Sequence, residues 1–209
     1  MSDLIKKNEE SWGEGASKSI TFIVTKDCQL ACKYCYLVGK NDKERMNWEI
    51  AKAAIDYILS HESDFNEQSV IWDFIGGEPF LEIDLIDKIC DYLKTEMYRR
   101  DHHWFNSYRF SFSTNGINYD SEKVQKFISK NQEHLSIGIT IDGTKRKHDL
   151  NRIWKGEGPE RGSYEDVIRN IPLWLSQFPN GSTKVTISSA DIPYITAVSY
   201  THLRAHETS

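Results

Sequence analysis

The chain has 209 residues, 39% of them hydrophobic and 27% charged, with a net charge of −5; that is enough for one globular domain with a real core. It lacks the basic patch of a nucleic-acid binder, its apolar runs fall well short of the ~20 residues of a membrane helix, and the start Met1-Ser-Asp-Leu-Ile-Lys-Lys has no apolar signal-peptide core. Three of its four cysteines lie between Cys28 and Cys35, which is no secreted disulfide framework and predicts a reducing, cytoplasmic setting.

Residues 1–18 are polar and read as a mobile leader. Residues 19–189 read as one domain. Ser19–Thr25 is continuous, apolar and β-branched, as a buried strand is, and the cysteine loop follows it directly. Met46–Ser60 predicts a helix with Ile50, Ala54, Tyr57 and Ile58 at helical spacing. Val70–Ile75 predicts a second strand, ending at Gly76-Gly77. Ile83–Met97 predicts a helix with Ile86, Ile89, Cys90 and Leu93 on one stripe. Tyr108–Ser113 predicts a third strand, ending in Thr114-Asn115-Gly116. Ser121–Ser129 predicts a helix with Ser121 as N-cap. Leu135–Ile141 predicts a fourth strand, ending in Asp142-Gly143. Tyr164–Gln177 predicts a helix that Pro172 kinks or restarts, and Lys184–Ser188 a fifth strand. Beyond Ser189 the pattern dissolves. Residues 190–209 read as a non-native or disordered tail on a truncated fragment, and the i,i+4 pair His202 and His206 as an accident of that tail. Strands alternating with helices give an α/β fold with a parallel sheet and right-handed crossovers. Every motif falls just past the C-terminal end of a strand, the edge where such folds bind ligands.

The informative stretch is Cys28-Gln-Leu-Ala-Cys32-Lys-Tyr-Cys35. A [4Fe–4S] cube takes one thiolate per iron, so three cysteines leave one iron open to a small molecule. The alternative is a zinc site with a fourth ligand elsewhere, such as Cys90 or a histidine. Cys90, on an apolar helical stripe, reads as a small core residue.

Cys-x3-Cys-x-Tyr-Cys after a first strand resembles the signature of the radical S-adenosylmethionine (SAM) superfamily. The resemblance extends to Gly76-Gly77-Glu78-Pro79, Thr114-Asn115-Gly116, Thr140-Ile-Asp142-Gly143, His148-Asp149 and Arg152, and runs from about Ser19 to about Ser189. That ordered set looks most like the peptide-modifying maturases of the SPASM-type branch, with wording closest to maturases of CXXX-repeat peptides. The resemblance implies a partial (β/α)6 barrel, of which about five β/α units are present here. It implies a [4Fe–4S] cluster on Cys28, Cys32 and Cys35, SAM on the open iron, and a ribosomally made precursor peptide as substrate. A flavodoxin- or ferredoxin-type reductant follows as electron donor. An anaerobic sulfatase maturase is the nearest competitor within the superfamily. A non-catalytic zinc- or cluster-binding module is the competitor outside it.

The remaining candidate residues keep their alternatives. Tyr34 packs on the cluster loop near the adenine, or is an ordinary packing aromatic. Gly76 and Gly77 let backbone approach a ligand closely and accept from the SAM ammonium, or belong to a plain strand-to-helix turn. Glu78 adds compensating charge or fixes the loop, and Pro79 rigidifies its exit. Thr114, Asn115 and Gly116 are a ribose or carboxylate contact, or only a turn. Thr140 and Asp142 point to the same edge, with Asp142 either on ribose hydroxyls or in an Asx-turn with Gly143. Arg152 clamps the SAM carboxylate, or is solvated beside Lys145-Arg146-Lys147. No role follows from sequence for His148 and Asp149.

Overall fold

A computed structural model describes residues 16–37, 42–156 and 161–189. The expected tail, with His202 and His206, lies outside the described residues, as does most of the expected leader. Ser17 and Lys18, placed in that leader from sequence, already belong to the first strand, and Lys18 Nζ pairs with Glu67 at 3.0 Å.

Five parallel strands form one sheet in the order β1-β2-β3-β4-β5. They are β1 (Ser17–Thr25), β2 (Ser69–Gly76), β3 (Tyr108–Thr114), β4 (Leu135–Thr140) and β5 (Thr183–Lys184). Between them run α1 (Trp48–Ser60), α2 (Ile83–Arg99), α3 (Glu122–Asn131), then α4 (Lys145–Asn151), α5 (Tyr164–Ile168) and α6 (Ile171–Gln177). Strand order follows chain order with no reversal. Right-handed crossovers then place successive helices on the same face, and the sheet curls as an open barrel wall, unlike a doubly wound sheet, whose order reverses at a switch point.

Burial alternates along the strands. Phe22, Val24, Val70, Trp72, Phe74, Phe110, Phe112, Ile137 and Ile139 are buried and form the core with Ile86, Leu93, Phe127 and Trp174 of the helices. The intervening residues face the other way. Thr21 pairs with Asp73, Asp73 with Ser111 and Ser111 with Ser136, so a polar row crosses four strands on the concave face. The expectation that Ser19–Thr25 is a continuously buried strand is therefore corrected: Thr21 and Ile23 are exposed on the face opposite the core.

Element ends shift by a few residues, and two expectations fail. On α1 the buried stripe is Ala51, Ile55 and Leu59, while Ile50 is 59% and Tyr57 56% exposed. Both stripes satisfy the helical period, and docking on the sheet selects between them. The fifth strand is two residues, not five, pairing Thr183 and Lys184 with Ile139 and Thr140. The helix α4 and three short 3-10 turns (Pro79–Glu82, His103–Asn106, Gln132–His134) escaped prediction. Pro172 acts as expected: α5 ends at Ile168 and α6 restarts at Ile171 with the proline in its first turn, where the missing N–H goes unused. Ser121 sits at the N-cap of α3, but its side chain makes no capping bond. No helix among the described residues is long and apolar enough to cross a membrane.

Candidate functional site

At the C-terminal edge of the sheet lies a cavity of about 620 Å³. Its wall includes Cys28, Cys32, Cys35, Tyr34, Gly76, Gly77, Thr114, Asn115, Thr140 and Arg152. Chain segments more than a hundred residues apart are thus brought to one place, because each follows a strand in the same parallel sheet.

The cysteine loop is strapped on two sides. Towards β2, Gly77 N–H donates to Thr25 O and Glu78 N–H to Asp27 O, both at 2.9 Å. Away from it, Ala31 N–H donates to Ile153 O (2.8 Å), Lys33 N–H to Asn151 O (2.9 Å) and Lys155 N–H to Gln29 O (2.9 Å). The first strap explains the two glycines. Gly76 has φ +153°, and a Cβ there would meet Thr25 O at 2.3 Å; a Cβ on Gly77 would meet Asp27 O at 2.1 Å. The close approach read from sequence as an approach to a ligand is first an approach to the cysteine-loop backbone.

Glu78, Pro79, Gly116 and Asp142 stand behind the wall and do not line the cavity. Glu78 is buried and ties neighbouring loops together. One carboxylate oxygen accepts from Thr114 Oγ1 (2.6 Å) and Phe80 N–H (3.1 Å), the other from Asn115 N–H (2.7 Å). Burial raises its pKa, and the three donors and the Arg152 charge oppose that shift. Of the two roles considered for Glu78, these contacts are those of a residue that fixes the loop. Pro79 opens the 3-10 turn.

Thr114 and Asn115, read as either a ligand contact or a turn, form a turn and also line the cavity. Thr114 Oγ1 accepts from Gly116 N–H (3.0 Å) and Asn115 Oδ1 from Ile117 N–H (2.9 Å). The Asn115 amide also donates to Gln29 Oε1 (3.1 Å) and to Cys28 Sγ (3.8 Å), so the turn touches the cysteine loop. Asn170 Nδ2 braces it from outside, donating to Gly116 O at 2.8 Å.

Asp142 neither faces the cavity nor makes an Asx-turn bond with Gly143. One oxygen accepts from Thr186 N–H at 3.0 Å and the other from the Tyr34 hydroxyl. Tyr34 in turn accepts from Arg152 Nη1 at 2.9 Å. Burial pushes the Tyr34 hydroxyl up to about 12, so it is neutral and both donates and accepts. Arg152 is only 7% exposed, which excludes the solvated arginine. Its Nε is buried with no hydrogen-bond partner among the described residues.

His148 and Asp149, without a role from sequence, brace this wall. Asp149 Oδ1 accepts from Tyr164 N–H at 2.8 Å and starts α5. His148 is fully buried, and burial pushes its pKa down to about 4, with Arg152 adding to the effect. Sequence reading also missed Asp73, Ser113, Lys184 and Thr186, which line the cavity. Asp73 left a signal, a carboxylate inside the run Val70–Ile75; Lys184 left none, because nothing local distinguishes it from a surface lysine.

The donor set suits an iron–sulfur cube: a cube takes one thiolate per iron, and three thiols of one loop line one wall of a cavity of a size suited to a small-molecule ligand. Cys90 is fully buried in the core on α2 and burial raises its pKa well above the ordinary thiol value, so it is no fourth ligand here. Arg152, whose charge is fixed, also lines the cavity and is a donor of the kind that pairs with a carboxylate.

Comparison with known proteins agrees. Residues 12–158 match the family described as 4Fe-4S single cluster domain. An uncharacterized protein of Methanocaldococcus jannaschii is 32% identical over 179 residues, covering 85% of this chain and 56% of that protein. The cysteine-type anaerobic sulfatase-maturating enzyme of Clostridium novyi is 28% identical over 162 residues, covering 75% of this chain and 40% of the enzyme. The chain thus spans about half the length of the curated relatives it matches. Among solved structures, native anSMEcpe with bound AdoMet and Kp18Cys peptide superposes with a TM-score of 0.72 at 22% identity, over 91% of this chain and 49% of that one. At that identity the likeness speaks for the fold, the partial barrel wall.

Proposed function

The chain belongs to the 4Fe-4S single cluster domain family and to the radical SAM superfamily, and from that premise we propose that it is the radical-generating part of a maturase that modifies a ribosomally made peptide. The observation that carries the reading is that three thiols and seven of the eleven candidate SAM residues (Tyr34, Gly76, Gly77, Thr114, Asn115, Thr140 and Arg152), dispersed along the sequence, line one cavity at the C-terminal strand edge.

Cys28, Cys32 and Cys35 would hold the cluster, and SAM would occupy the cavity beside it. When bound and reduced, this pair supplies a 5′-deoxyadenosyl radical that takes hydrogen from an unactivated C–H bond. The chain's own residues bind, orient and exclude water. Gly76 and Gly77 expose backbone carbonyls to the SAM ammonium. Arg152, carrying a fixed charge, takes the carboxylate. Thr114, Asn115 and Thr140 offer polar contacts to the ribose side, and Tyr34 an aromatic edge near the adenine. Glu78, Pro79, Gly116 and Asp142 act from behind, keeping those groups in place. The concave face with Asp73, Ser113 and Lys184 is left for the peptide. Support for a peptide substrate comes from the relatives: a sulfatase-maturating enzyme and a solved structure holding AdoMet and a peptide. A flavodoxin- or ferredoxin-type protein would deliver the electron.

The competing reading within the family is sulfatase maturation, favoured by the similarity to the Clostridium novyi enzyme. Anaerobic reconstitution with iron and sulfide, followed by dithionite and SAM, tests the common core of both. The expected result is visible-region cluster absorbance and 5′-deoxyadenosine. Bound zinc with no such absorbance would leave a non-catalytic module. Supplying a Cys-containing sulfatase peptide or a Cys-repeat precursor peptide to the same mixture separates the two maturase readings.

A further inference from the structure

His148 and Ser163 are buried polar groups beside the cavity wall to which this reading assigns no part in holding SAM. His148 Nδ1 lies 3.3 Å from Asp142 N, and its Nε2 lies 3.0 Å from Ser163 Oγ. Ser163 Oγ is 2.8 Å from Arg152 O. A backbone N–H can only donate and a carbonyl can only accept. The protons are therefore assigned: Nδ1 is bare, Nε2–H donates to Ser163, and the serine hydroxyl donates to Arg152 O. That is a neutral imidazole in one tautomer, in keeping with its depressed pKa.

The contacts close into a ring. His148 accepts from Asp142, whose carboxylate accepts from Tyr34, whose hydroxyl accepts from Arg152 Nη1. The Arg152 carbonyl accepts from Ser163, which accepts from His148. Arg152 N–H also donates to His148 O at 2.7 Å. The arginine is thus held at its backbone by His148 and Ser163, and at its guanidinium by a chain that returns to the same histidine. Arg152 lines the cavity, and its buried Nε has no hydrogen-bond partner among the described residues.

We propose that His148 and Ser163 are positioning residues that aim Arg152 at the carboxylate of SAM. The inference rests on the reading of this cavity as the SAM site. A long, flexible side chain loses rotamer freedom on binding an anion; a ring that has already fixed it removes that cost, which is preorganisation. Removing the ring therefore lowers affinity for a ligand with a carboxylate and leaves a ligand without one unaffected.

The test measures equilibrium binding of SAM and of decarboxylated SAM to the anaerobically reconstituted full chain. The unaltered protein should prefer SAM. Arg152→Gln should abolish the preference. Ser163→Ala, which removes one oxygen, should weaken SAM by about five- to tenfold, the scale of one neutral hydrogen bond. Binding of decarboxylated SAM and iron content should not change. His148→Gln, which keeps a donor towards Ser163, should lose less than His148→Phe. If Arg152→Gln loses the preference while Ser163→Ala keeps it in full, the positioning role is overturned and the SAM site stands. Equal weakening of both ligands by Ser163→Ala also overturns it, since that is a general structural defect. An unchanged preference in Arg152→Gln, or a chain that binds neither ligand, overturns the reading of the cavity itself. If His148→Phe fails to fold, Ser163→Ala still decides.

Discussion

At the scale of single residues, the site depends on groups that hold the cysteine loop and the cavity wall in place. Gly77 is the sharpest case. Replacing it with valine would, on the ligand reading alone, weaken SAM binding with the cluster intact. The 2.1 Å approach of its Cβ position to Asp27 O changes that expectation, because the displaced atom belongs to the backbone that leads into Cys28. Even Gly77→Ala should reduce iron incorporation several-fold on reconstitution; full iron content with weakened SAM binding would favour the ligand reading instead. His148 makes a different prediction, about pH. Its folded-state pKa of about 4 lies below the ordinary 6.5, and Arg152, Lys145, Asp142 and Asp149 are the charged groups around it. As pH falls, the unfolded chain takes the proton first. The contribution is complete above 6.5 and is lost as pH falls through about 4, on the order of 3 kcal/mol in all. Urea unfolding of the unaltered chain and of His148→Gln should therefore give stability curves that converge between those pH values. Parallel curves would mean that the histidine is not buried neutral.

At the scale of elements, the helical period alone leaves register open. In α1 the stripes Ile50-Ala54-Tyr57-Ile58 and Ala51-Ile55-Leu59 both repeat at helical spacing, and only the second is buried. Ile55→Ala should cost about 2–4 kcal/mol, the usual range for a fully buried isoleucine. Ile50→Glu should change stability by no more than about 0.5 kcal/mol, and the reverse order of effects would restore the first stripe. The α5–α6 break shows the opposite situation. A proline within a helical pattern removes a donor and clashes one turn back, so Pro172 marks the restart without help from tertiary structure. The short helix α4 has an N-cap in Thr144, whose Oγ1 accepts from Lys147 N–H at 3.4 Å. Its run Lys145-Arg146-Lys147 nevertheless reads as solvated charge, because only the packed fold reveals that His148 beneath it is buried.

At the scale of the whole molecule, the cysteine loop is where the fold and the chemistry meet. It is bonded to the β2 loop on one side and to residues 151–155 on the other, so a ligand that fixes it also fixes both ends of the sheet's C-terminal edge. Loading iron and sulfide should therefore raise the unfolding temperature of the chain, since binding to the native state alone stabilises it by mass action. It should also slow amide exchange at Ala31, Lys33 and Gly77; an unchanged melting point would show that the loop is held without the cluster. The sequence by itself determined the alternation of strands and helices, the parallel sheet, the three-thiol loop and the edge at which the motifs gather. Each of those follows from local periodicity or from residues close together in the chain. Tertiary structure alone decided which side of α1 is buried, that β5 is two residues long, and that Asp142 and Glu78 act as braces behind the wall. It alone revealed the ring joining Tyr34, Asp142, His148, Arg152 and Ser163. Those outcomes depend on contacts between residues far apart in sequence, and the directions of hydrogen bonds across such distances leave no trace in local pattern.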